Sequence, residues 1–113
     1  MTGITFKLVL MDEAKGFLER LPKAASYKIL FNAYRVAAGE RDSELFKKLD
    51  GTDIWEFRTL YNGIAYRLFA FWDKDKNRMV IATHGIIKKT QRTPRKEIAK
   101  AEALRKKYYE TKQ

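Results

Sequence analysis

Hydrophobic and polar positions alternate from Ile4 to Leu10, where Ile4, Phe6, Leu8 and Leu10 interleave with Thr5, Lys7 and Val9. A period of two predicts a short strand with one better-buried face. The period then lengthens. Ala14, Phe17, Leu18 and Leu21 recur at i, i+3, i+4 and i+7, which is one apolar stripe of a helix that Asp12 can cap. Pro22 ends that helix and suits the first turn of the next. In the second helix Tyr27, Leu30, Phe31, Tyr34, Ala37 and Ala38 mark a single face, and Gly39 is placed to terminate it in a left-handed conformation. Glu40 to Asp53 reads as a charged connection with one apolar knot, Leu45, Phe46 and Leu49, before a turn at Asp50 and Gly51.

Ile54–Tyr61 and Gly63–Trp72 are rich in β-branched and aromatic residues, and Asn62-Gly63 between them is a strong hairpin signal. After a turn over Asp73–Asn77, Met79–Ile87 predicts a third antiparallel strand of the same meander. Thr93 as cap and Pro94 at the first helical position then start a terminal helix in which Ile98, Ala101, Leu104 and Tyr108 lean inward. The expected fold class is α+β in the order β-α-α-β-β-β-α, a small antiparallel meander sheet with a helical hairpin packed on one face and a C-terminal helix.

Composition narrows the classes. A chain of 113 residues supports one core, and 45% apolar residues are enough to form it, so one ordered domain spanning residues 1–113 is expected. Cysteine is missing, which excludes disulfides and thiolate chemistry and suits a reducing cytoplasm. With a single histidine, a dedicated metal site is not expected, and no cofactor is called for. The first ten residues lack the pattern of a signal peptide, and no apolar run approaches the roughly 20 residues that span a bilayer. Neither a membrane nor export is therefore expected. The net charge of +10 favours a polyanionic partner, and Lys88–Gln113 alone carries ten basic residues against three acidic ones.

Strand alternation places Trp55, Phe57 and Thr59 on one face and Glu56, Arg58 and Leu60 on the other. Arg67 falls among Ala65, Phe69 and Phe71, an unusual setting for a charge without a partner. The third strand runs through Thr83 and His84 into Lys88, Lys89, Gln91 and Arg92. If the meander pairs in order, Arg58, Arg67 and the Lys88/Lys89 pair converge on the sheet face away from the helical hairpin, whereas a slip of one residue would invert each face. A same-face ion pair is the plain alternative for Glu56 and Arg58. His84 has a pKa suited to a general base, yet a lone histidine on an apolar strand more often makes a structural hydrogen bond.

The ordered set Leu49-Asp50-Gly51, Glu56-x-Arg58, Tyr66-Arg67 and Lys88-Lys89-Thr90-Gln91, followed by a helix with alanines at 99, 101 and 103, resembles the RelE/HigB toxin superfamily in its phage-associated HigB-like branch. The resemblance covers nearly the whole chain. It implies the RelE-like fold and a toxin of a type II toxin–antitoxin system, a metal-independent endoribonuclease that cuts messenger RNA in the ribosomal A site. In that chemistry a 2′-hydroxyl attacks the adjacent phosphorus, so the site needs a base, cations for the phosphorane and an acid for the leaving 5′-oxygen.

The resemblance implies that Arg67 stabilises the phosphorane, that Lys88 or Lys89 transfers a proton or binds phosphate, that Arg58 holds the phosphate, and that Glu56 orients an arginine or acts as base. His84, Gln91, Arg92, Arg95, Lys96, Lys47 and Lys48 are the expected RNA contacts. The implied partner is a helix-turn-helix antitoxin of HigA type, through which the complex binds operator DNA. Two other readings remain. A ParE-like toxin acting on DNA gyrase shares the fold but needs no phosphate-sized cation pocket. A non-catalytic RNA- or DNA-binding domain would use the same cations only to neutralise phosphates, although no glycine-rich RNA-binding signature is present.

Overall fold

The computed structural model describes residues 3–112. Strand β1 (Lys7–Leu10) leads into helices α1 (Asp12–Arg20) and α2 (Lys23–Ala37), followed by strands β2 (Phe46–Lys48), β3 (Trp55–Tyr61), β4 (Ile64–Trp72) and β5 (Met79–Lys88), and by helix α3 (Arg95–Thr111). One sheet has the order β1-β5-β4-β3-β2. The expected meander is present as β3, β4 and β5, antiparallel throughout. At the two-residue turn Asn62 and Gly63 both take positive φ, 51° and 76°, the geometry that twists with its flanking strands.

Two strands flank this meander, the expected β1 and an additional β2. The apolar knot of the connection is β2, whose Phe46 stacks on Trp55 and Phe57 and whose three residues pair antiparallel with β3. A run of three paired residues is too short to leave a period in the sequence. Strand β1 closes the other edge parallel to β5, with Leu8 opposite Val80, so the sheet is mixed. The crossover that parallel pairing requires is supplied by everything between β1 and β5.

The helices do not share one face. Helices α1 and α2 cover one side of the sheet, where Phe17, Leu18, Ile29, Ala33 and Val36 meet Phe57, Leu68 and Val80. Helix α3 lies on the other side, and its Ala101, Tyr108 and Tyr109 pack against Ile54, Phe69, Phe71 and Ile81. The strands are therefore apolar on both faces at this end, which explains the near-continuous hydrophobic run from Leu68 to Trp72.

Helix α2 departs most from expectation. Its buried residues are Ala25, Ile29, Asn32, Ala33, Val36 and Ala37. The face marked by Tyr27, Phe31 and Tyr34 points outward, with those side chains 80%, 55% and 52% exposed. Close approach to the sheet selects the small and β-branched residues, leaving the large aromatics outside. The caps differ too. Met11 rather than Asp12 is the N-cap of α1, and Pro94 rather than Thr93 is that of α3. Gly39 has the expected positive φ, 113°, just beyond the end of α2.

Candidate functional site

Alternation along β3 puts Glu56 and Arg58 on the face opposite α1 and α2, and the β3/β4 register sets Arg58 directly across from Arg67. Two like charges in that position repel. Glu56 offsets the repulsion: its Oε1 lies 3.4 Å from Arg67 Nε and 3.6 Å from Arg58 Nε, and its side chain is 3% exposed. Its other oxygen, Oε2, accepts a hydrogen bond of 3.2 Å from Thr93 Oγ1. Thr93 thus spends its hydroxyl on the carboxylate instead of capping α3, a role that its place before Pro94 conceals in the sequence.

Each arginine is held by its surroundings. Arg67 is buried and donates through Nη1 to its neighbour, the Tyr66 carbonyl, at 3.0 Å. Burial holds its guanidinium below the ordinary arginine range, Arg58 acts in the same direction and Glu56 opposes them. Arg58 is tied to the segment before β2, its backbone N–H donating to the Leu45 carbonyl and its Nη1 to the Ser43 carbonyl. The Nε atoms of both arginines are buried and complete no hydrogen bond among the described residues, although both sit at ion-pair distance from Glu56. One carboxylate is thus shared between two guanidinium groups and offsets only part of their charge.

The next strand brings a third cation. Arg67 pairs with Ile86 and Ala65 with Lys88, so Lys88 shares the Arg67 face one step further along β5. Burial, and after it Arg67, Arg58 and Lys47, lower the Lys88 ammonium from its ordinary value against the opposing pull of Glu56. Lys89 follows the end of β5 and is exposed. Of the two expected lysines, the register therefore places Lys88 beside the arginines.

The remaining expected contacts separate into groups. Lys47 pairs with Glu56 across β2 and β3 and joins the cation face, while Lys48 pairs with Trp55 and lies on the opposite face. Gln91, Arg92, Arg95 and Lys96 are exposed in the segment from β5 into α3. His84 does not belong with them. It is buried with Nδ1 3.1 Å from Thr83 Oγ1 and Nε2 3.1 Å from Glu97 Oε1, and its ring packs on Phe69. Burial lowers its pKa and Lys100 acts the same way, against Glu97 and Glu13. Both ring nitrogens of His84 are thus engaged by neighbouring side chains. Among the described residues no cluster of three or more His, Asp or Glu gathers as a metal site would require, and no helix is long and apolar enough to cross a membrane.

The arrangement is a set of three cations on one sheet face, Arg58 and Arg67 at ion-pair distance from one buried carboxylate and Lys88 beside them in register. The mixed sheet with a helical pair on one face and a terminal helix on the other is the RelE-like α+β fold. A chain in the crystal structure of the toxin–antitoxin complex RelBE2 from Mycobacterium tuberculosis matches it with a TM-score of 0.57 at 16% identity, over 75% of this chain and 93% of that one. The chain belongs to the family described as phage derived protein Gp49-like (DUF891), whose model matches residues 16–106. No curated protein matches it in sequence.

Proposed function

We propose that the whole chain acts as a single toxin domain of a type II toxin–antitoxin pair, a ribosome-dependent endoribonuclease that cuts messenger RNA in the A site and so inhibits translation. The observation that carries this reading is the convergence of Arg58, Arg67 and Lys88 on one sheet face around buried Glu56. Three cations that need only one carboxylate for their own stability leave positive charge for a phosphate.

In the proposed reaction the substrate 2′-hydroxyl gives its proton to a solvent water and its oxygen bonds to the adjacent phosphorus. The P–O bond to the 5′-carbon oxygen breaks, and that oxygen takes up a proton. Arg67, fixed by Glu56 and the Tyr66 carbonyl, meets the charge that develops on the phosphorane. Arg58 holds the phosphate, and Lys88, with its lowered pKa, is the proton donor to the leaving oxygen. Glu56 orients the two arginines. Lys47, Gln91, Arg92, Arg95 and Lys96 contact the RNA around this centre and Lys89 adds charge at its margin, whereas Lys48, on the other face of the sheet, takes no part in it. The reaction is completed in the cytoplasm, and a helix-turn-helix antitoxin of HigA type restrains it and carries the complex to operator DNA.

The test is single-turnover cleavage on programmed ribosomes. Arg67→Ala should lower the rate about 100- to 1000-fold while ribosome binding survives, the usual loss when one preorganised charge donor is removed. Cleavage near the wild-type rate at saturation would show Arg67 to be a structural residue. Equal cutting of ribosome-free messenger would remove the ribosome from the proposal. A ParE-like reading predicts no RNA cleavage and inhibition of gyrase instead.

A further inference from the structure

Helix α2 carries a second surface, on the side of the sheet opposite the cations. Ala24, Tyr27, Phe31, Tyr34 and Ala38 follow one another at spacings of three, four, three and four residues. That is the a/d seam by which one helix packs along another. All five are exposed in the monomer, and two shallow grooves of about 410 and 520 Å³ flank the ridge of Tyr27 and Phe31, one of them bounded by Tyr61 of β3. Isolated exposed aromatics need no explanation, but three in a single helical register form a contiguous apolar strip.

The positions flanking such a seam, e and g, select the partner by charge. Here they include Lys23, Lys28 and Arg35, and the helix from Lys23 to Ala37 contains no Asp or Glu. Lys28 Nζ lies 5.3 Å and the Arg35 guanidinium 5.9 Å from the centre of the Phe31 ring, so both cations border the apolar strip. Arg35 also pairs with Glu40, which leaves Lys23 and Lys28 as the freer charges. A second copy of this chain would set these cations against their equivalents on molecules that each carry +10. An anionic bilayer would satisfy the charges, but it takes up a broad apolar face, and the strip here is the narrower a/d seam that suits a facing helix.

We propose that α2 is the docking face for an acidic amphipathic helix of a partner protein, with apolar residues at its own a and d positions and Glu or Asp beside them. On the toxin reading that helix belongs to the antitoxin, which would then grip the side of the sheet away from Arg58, Arg67 and Lys88. The surface itself does not depend on that reading, and binding is measured without cleavage or toxicity.

The probes are two synthetic three-heptad helices with Leu at a and d, one with Glu and one with Lys at e and g, titrated against the full chain. The Glu helix should bind about tenfold or more tighter than the Lys helix. The double substitution Tyr27→Ser with Phe31→Ser should abolish that binding without changing the melting temperature, because both side chains lie outside the core. Equal affinity for the two peptides, no binding of the Glu helix, or binding retained by the double variant would each overturn the proposal; the last would place the peptide on the cation face. Concentration-dependent dimers that the double variant dissolves would assign the face to a second copy. Flotation with phosphatidylserine vesicles, lost in the double variant while the Glu helix fails to bind, would assign it to a membrane.

Discussion

At the scale of single residues, the site depends on one carboxylate placed among several cations. Glu56 makes the direct opposition of Arg58 and Arg67 tolerable, and burial, followed by the charge of Arg67, lowers the Lys88 ammonium. A group held below its ordinary value releases its proton at lower pH than a free lysine, so a reaction that needs protonated Lys88 must slow as pH rises through that lowered pKa. Single-turnover cleavage should therefore show an alkaline limb below the ordinary lysine range. Lys88→Arg should flatten it, since arginine keeps its proton there, and Lys89→Ala should leave it in place. A limb unchanged in Lys88→Arg would assign the proton to another group. Most of this site was legible from strand alternation: Glu56, Arg58 and Arg67 need only a period of two and the Asn62-Gly63 turn to share a face. Two features were not. Choosing Lys88 over Lys89 requires the β4/β5 register, and the Thr93 hydroxyl reaches Glu56 across 37 residues of sequence.

At the scale of elements, α3 is attached by polar contacts at both ends as much as by its apolar face. Near its start His84 meets Glu97, and Lys100 pairs with Glu13 of α1 at 2.8 Å. Near its end the buried Asp73 carboxylate accepts hydrogen bonds from the Tyr108 hydroxyl and from Lys112 Nζ. Burial alone would raise the Asp73 pKa, but Lys112, Tyr108 and the backbone N–H groups of Asp75 and Lys76 hold it far below the ordinary range, while burial and Asp73 push the Tyr108 phenol up to about 12. A carboxyl depressed in the folded state stabilises the protein above its unfolded pKa, and that contribution fades as pH falls toward the folded value. Tyr108→Phe should thus cost about 1.5–3 kcal/mol at neutral pH, the worth of one hydrogen bond to a charged acceptor. Asp73→Asn should remove the part of the acid destabilisation that begins near pH 4, about the unfolded aspartate value. Urea midpoints across pH test both, and a wild-type acid profile in Asp73→Asn would sink the anchoring role. The hairpin, the first helix and the terminal helix were readable because each carries a full period or a turn signal. The outward turn of α2 was not, because both of its faces contain apolar residues, and only the tight fit of Ala33 and Val36 beneath it decides which one is buried.

At the scale of the molecule, the sheet divides two kinds of surface. Helices α1 and α2 close one side and leave the aromatic strip of α2 outermost. The other side holds the strand cations and α3, so the excess charge of the carboxy-terminal quarter lies on the same side as Arg58, Arg67 and Lys88. Such a distribution makes association with RNA steep in salt, because each phosphate neutralised releases counterions and adds about 0.7 to 0.9 to the slope of log K against log salt. Exposed lysines of α3 should act through this term alone. Lys106→Ala with Lys107→Ala should lower ribosome affinity and flatten its salt dependence by no more than those two contacts, while the rate of the bound complex stays at the wild-type value. Arg67→Ala should do the reverse, sparing most of the affinity and losing the rate. Binding measured over a range of potassium concentrations, with single-turnover rates on the saturated complex, separates the two. A salt slope near zero in the wild-type protein would mean that the basic side is not the face presented to the ribosome, and the aromatic strip of α2 would become the surface to test there.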